Sequence, residues 1–69
     1  MRSEKDIRQK AKEINPSVYV SFDKLYQNDN YRVIVIKKNT HKSFIVPNLD
    51  ATDLDDKLKE AIDFVITHQ

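Results

Sequence analysis

Residues 31–47 read YRVIVIKKNTHKSFIVP, and the way this stretch folds decides the architecture of the whole chain. Two apolar runs flank the polar segment KKNTHK, residues 37–42, in the pattern of two strands joined by a tight turn. Asn39-Thr40 is the expected centre of that hairpin. Asparagine tolerates the positive φ such turns demand, although β-branched threonine resists it. The first strand of the pair is apolar on both faces, with Val33 and Val35 on one and Ile34 and Ile36 on the other. Two-sided apolarity marks a central strand whose faces are both covered. The second strand is short and ends at Pro47, which has no N–H to give a ladder.

Upstream, SVYVSF alternates, placing Val18, Val20 and Phe22 on one face and Tyr19 and Ser21 on the other. Asn28, Asp29 and Asn30 supply the turn that follows, because they tolerate left-handed backbone where glycine is missing. A first helix is expected over about 4–14. Ser3 is its N-cap with Asp6 three residues on, and Ile7, Ala11 and Ile14 form its apolar stripe. Asn15-Pro16 stops it, since the residue before proline leaves the α region. A last helix is expected over about 53–67, capped by Thr52. Leu54, Leu58, Ala61, Ile62 and Val65 face inward, and Asp53, Asp55 and Asp56 complement the dipole of the first turn. The predicted fold is α+β, in the order α-β-β-β-α: one small domain over 1–69, a three-stranded antiparallel meander packed against two helices. Its expected core is Val20, Phe22, Ile34, Ile36, Leu54, Leu58, Ile62 and Val65.

Sixty-nine residues lie near the lower end of what folds on one core, where net stability is only ~3–5 kcal/mol. The absence of cysteine rules out disulfides, thiolate metal sites and cysteine catalysis, and an intracellular, cytoplasmic setting is the simpler expectation. The absence of glycine rules out Gly-rich phosphate loops and leaves every turn to Asn, Asp and Pro. MRSEKDIRQK carries no apolar stretch of the signal-peptide or anchor kind, and no apolar run is long enough for a bilayer. Abundant Lys, Ile, Asn and Asp suggest an A/T-rich coding sequence, as in low-G+C bacteria and their phages. Net charge is +1, but its distribution is uneven: ten Lys/Arg against five Asp/Glu up to Lys42, then two against six. The chain is electrically bipolar.

Catalysis has little to stand on. His41 lies in a predicted turn and His68 at the end of the last helix, neither beside an orienting group nor at metal-ligand spacing. The aspartates at 50, 53, 55 and 56 lack the glycine and bidentate glutamate of a calcium loop. We therefore expect no enzymatic activity, no metal or cofactor and no small-molecule ligand.

The α-β-β-β-α order resembles that of double-stranded-RNA-binding domains along the whole chain. Such domains present lysines at the start of their second helix to span phosphates. Here that position reads TDLDDK, and QNDN replaces their Gly-Pro and His loop, so the resemblance implies a fold and not an RNA-binding mode. A second resemblance covers residues 31–66: a hairpin, then FIVPNL, then a helix carrying LKEAIDF, is similar to part of the HicB-type antitoxins. Their glycine-bearing segment between turn and helix is missing, so no site residue is carried across.

The expected function is a small non-enzymatic binding module, acting by protein–protein contact as a regulator, inhibitor or adaptor. If both helices cover one sheet face, the other exposes an apolar patch drawn from Tyr19, Tyr31, Val33, Val35 and Ile45, open to a protein partner or a second copy. The alternative is a nucleic-acid-binding accessory protein. It would use Lys5, Arg8 and Lys12 on the first helix, with Arg32, Lys37, Lys38 and Lys42 around the hairpin.

Overall fold

The computed structural model describes residues 2–25 and 30–68. The turn residues Asn28 and Asp29 lie outside them. The element order is α1 (Glu4–Ile14), β1 (Tyr19–Leu25), β2 (Asn30–Lys37), β3 (Thr40–Val46) and α2 (Leu54–Thr67). The strands form one antiparallel meander in the order β1-β2-β3, so the α+β architecture is as expected.

Helix α1 starts where its cap dictates. Ser3 has extended backbone, its hydroxyl accepts from the Asp6 N–H at 3.2 Å, and the Asp6 carboxylate accepts from the Ser3 N–H at 3.0 Å. This reciprocal capping box satisfies two otherwise orphaned donors. Ile7 and Ala11 are buried, whereas Ile14, the third member of the expected stripe, is 40% exposed at the helix end. Asn15 then closes the turn, its side-chain carbonyl accepting from both the N–H and the hydroxyl of Ser17. Helix α2 begins one residue later than expected. Asp53, not Thr52, occupies its N-cap and makes no side-chain capping bond. The Asp53 carboxylate instead meets Lys57 one turn on, at 3.3 Å.

The hairpin also turns one residue earlier than expected. Lys37 pairs with Thr40, so Lys38 and Asn39 form a two-residue loop, and Lys38 takes φ 55°, the one positive φ among the described residues. Tight hairpins need such a residue, and without glycine a lysine bears a cost on the order of 1 kcal/mol. Threonine escapes it by joining the strand.

Both helices pack on the same face of the sheet, α1 over β1 and α2 over β2 and β3. The register shows which residues they cover. Val20 stands opposite Val35, and Phe22 opposite Val33, which in turn opposes Phe44. These residues share the helix-facing side, and Val20, Val33, Val35 and Val46 are buried there with Leu54, Leu58, Ile62 and Val65. The expected core is corrected at three positions. Ile34 and Ile36 lie half-buried on the opposite face, with Val33 and Val35 in their place, and Phe22 is only partly buried.

The bipolar charge is used in closing the fold. The Arg2 guanidinium binds Asp55 of α2 at 2.6 Å and the Ala51 carbonyl at 3.3 Å, while its main-chain N–H binds Asp50 at 2.7 Å. Lys10 adds a second cation to Asp55 at 3.5 Å. The hydrogen bond from Arg2 holds the Asp55 carboxyl below its ordinary 3.8; partial burial opposes this, and the charges of Arg2 and Lys10 reinforce it. A carboxyl depressed in the folded state stabilises above its unfolded pKa, and that contribution is lost as pH falls through the folded value. Arg2→Ala is expected to lower stability by about 1 kcal/mol at neutral pH, a modest figure because both side chains are partly solvated. The gap between the wild-type and variant urea midpoints should close as pH falls below 3.8. A gap unchanged down to pH ~2 would show that the clamp works through packing instead.

Candidate protein-docking face

Neither helix covers the far side of the sheet, and the register lays that side out as a grid. Directly opposed residues of antiparallel strands project to the same side. One row therefore reads Tyr19, Ile36, His41 across β1, β2 and β3. The second row is Ser21, Ile34, Ser43, the third is Asp23, Arg32, Ile45, and a fourth continues with half-buried Leu25 and Asn30 on β1 and β2. Apolar side chains run diagonally across these rows, from Tyr19 through Ile36 and Ile34 to Ile45. Tyr19 is 57% and Ile45 46% exposed. The two serines are too small to cover Ile34 between them. Polar side chains flank this diagonal, Asp23 on one side and His41 on the other. Arg32 leans toward Asp23 at 3.9 Å. The surface is shallow, with a broad hollow of about 580 Å³ along Arg32, Ile34, Ser43 and Ile45.

Of the four residues expected at a partner surface, only Tyr19 lies here. Val33 and Val35 are fully buried, and Tyr31 is half-buried on the helix side with the Lys24 ammonium 5.7 Å from its ring centre. These three are corrections with one cause. The β1–β2 register is odd-to-even, which turns the valines toward Val20 and Phe22 and the isoleucines outward. Ile34 and Ile36 are the site residues that sequence reading missed.

The seven candidate phosphate-binding cations do not converge. Lys5 and Lys12 are exposed on α1, and Lys38 is exposed at the hairpin tip beside half-buried Lys37. Arg8 is engaged: its Nε–H donates to the Val20 carbonyl of β1 at 3.1 Å, and its guanidinium lies 5.2 Å over Phe22. Lys42 sits 4.9 Å over the Phe64 ring on the helix side, away from Arg32. At the other sheet edge the Lys57 ammonium reaches the Ile45 carbonyl at 3.4 Å.

His68 stacks on Phe64 with ring centres 4.1 Å apart, far in role from His41, which ends the first row of the outer face. Among the described residues no group of three or more His, Asp or Glu side chains gathers to hold a metal ion. None of the described helices is long and apolar enough to cross a membrane. No protein-family model, curated protein or solved structure matches the chain.

Proposed function

We propose that this chain is a non-enzymatic binding module that acts by protein–protein contact, as a small regulator, inhibitor or adaptor. The observation that carries the reading is the uncovered sheet face, with Tyr19, Ile34, Ile36 and Ile45 in one contiguous strip rimmed by charge. Monomeric proteins seldom leave such a strip open on a rigid sheet, and aromatic and aliphatic side chains ringed by polar ones are what protein interfaces present. The composition supports a cytoplasmic setting in a low-G+C bacterium or its phage. Nucleic-acid binding ranks second, because Arg8, Arg32 and Lys42 already have partners within the chain.

The test is capture from host extract, with and without nuclease, using folded baits. A protein held by the wild type should be lost with Ile34→Lys and retained with Lys5→Glu/Lys12→Glu. Retention by Ile34→Lys, or loss only with the Lys5/Lys12 variant or with nuclease, would reject the sheet face as the docking surface.

A further inference from the structure

We propose that the free edge of β3 binds an extended, acidic segment of a partner protein, which adds to the sheet as a fourth strand. This edge is a different surface from the open face, and each can fail without the other.

The ladder fixes which main-chain groups are free. The Val20 carbonyl is turned outward to Arg8, so Val20 and Val35 form a pair without mutual hydrogen bonds. Val35 therefore bonds across to Lys42, and the alternation of an antiparallel ladder leaves His41, Ser43 and Ile45 facing away from β2. The reach of Lys57 from α2 to the Ile45 carbonyl agrees. His41 and Ser43 are exposed, and no turn, loop or cap bond among the described residues takes their outward N–H and C=O groups. Donors and acceptors that repeat every second residue are matched by another extended backbone.

Side chains set the chemistry of that guest. Between β3 and α2 lies a hollow of about 370 Å³ lined by Phe44, Ala61 and Phe64. Lys42 lines it too, its ammonium resting over the Phe64 ring and not on a carboxylate. Glu60 belongs to the helix wall. The strand side carries no acid at all: none occurs between Asp29 and Asp50, a run that holds Arg32, Lys37, Lys38 and Lys42. Directly opposed residues of antiparallel strands project to the same side. An antiparallel guest therefore sets an apolar residue opposite Phe44 and, two positions later, an acidic one opposite Lys42.

The other edge offers less, because the Arg8 side chain lies across Val20 and Phe22 of β1. Lys57 guards β3 only at Ile45, and a guest paired with His41 and Ser43 ends before it. A second copy is a poor guest. Its β1 edge is held by Arg8, and its β3 is as basic as the edge it would join.

The test is titration of the full chain with a short blocked peptide, leucine-threonine-glutamate followed by two threonines, read by NMR. Half-saturation is expected below ~1 mM. At saturation the His41 and Ser43 amides should exchange with solvent about tenfold more slowly, with no change at Phe22 on the other edge. Lysine in place of the peptide's glutamate should weaken binding about tenfold, and Lys42→Glu should reverse that preference. Ser43→Pro removes an outward N–H and leaves the β2–β3 ladder intact, so it should fold and fail to bind. A peptide N-methylated at alternate residues, with no N–H left on its pairing edge, should fail on the wild type as well. Ile34→Lys, on the open face, should bind like the wild type. No binding at ~1 mM overturns the edge as a site. So does equal binding of the N-methylated peptide, binding by folded Ser43→Pro, protection at Phe22 instead of His41 and Ser43, or loss with Ile34→Lys. A glutamate preference that survives Lys42→Glu overturns the acidic partner.

Discussion

Val33→Lys is expected to leave no folded protein at 25 °C, whereas Ile34→Lys, one residue along the same strand, should fold. Val33 is fully buried between Phe22 and Phe44 beneath the helices. An ammonium there has no partner, and burying an unpaired charge costs several kcal/mol even after relaxation. That equals or exceeds the ~3–5 kcal/mol a domain of this size holds in reserve. Ile34 is half-buried on the open face, where a lysine stem can lie over the strand with its charge in water. Its cost should stay below ~1 kcal/mol. Circular dichroism and urea melts at micromolar concentration separate the two. A folded Val33→Lys protein would show that the valines do not face the helices. An unfolded Ile34→Lys protein would show that the open face is covered within one chain.

The second large effect is expected at Leu58. It is fully buried in α2, one turn from Leu54 and Ile62, and joins both helices and the sheet in one cluster. Leu58→Ala removes its apolar surface and leaves a cavity, at a cost of about 2–5 kcal/mol. In a domain this short that lowers Tm by ~10 °C or more. Lys59→Ala, exposed on the same helix, is the matched control and should change little. A Leu58→Ala melting curve that overlays the control would mean that α2 is not packed on the sheet.

These two sites also mark how far the fold was legible. Both helices carry their own instructions: Ser3 and Asp6 begin one, Asn15-Pro16 ends it, and the stripe through Leu54, Leu58, Ile62 and Val65 orients the other. Strand β1 alternates, so Val20 and Tyr19 fall on opposite faces without help from tertiary structure. Strand β2 does not alternate. With valine at 33 and 35 and isoleucine at 34 and 36, hydropathy is silent about which side faces inward. The answer depends on register, set here by four residues between Leu25 and Asn30. An odd number would turn every β2 side chain over. Tyr19 and Ile45 were accordingly legible as surface residues, and the isoleucines between them were not. Arg8 misled for another reason. Helical spacing grouped it with Lys5 and Lys12, but its reach to the Val20 carbonyl is a tertiary contact that spacing does not encode.

The cations at the two sheet edges bear on how the molecule aggregates. Pairing β1 of one copy with β3 of the next is a head-to-tail contact, which grows into fibrils unless its rotation closes a ring. Arg8, ion-paired with Glu4, engages a carbonyl on the first of these strands, and Lys57, ion-paired with Asp53, a carbonyl on the second, so each edge carries a long charged side chain that an incoming strand would have to displace. Neither end welcomes polymerisation. A modification that neutralised Lys57, such as acetylation, would remove that obstacle at one end of the sheet while leaving the other in place.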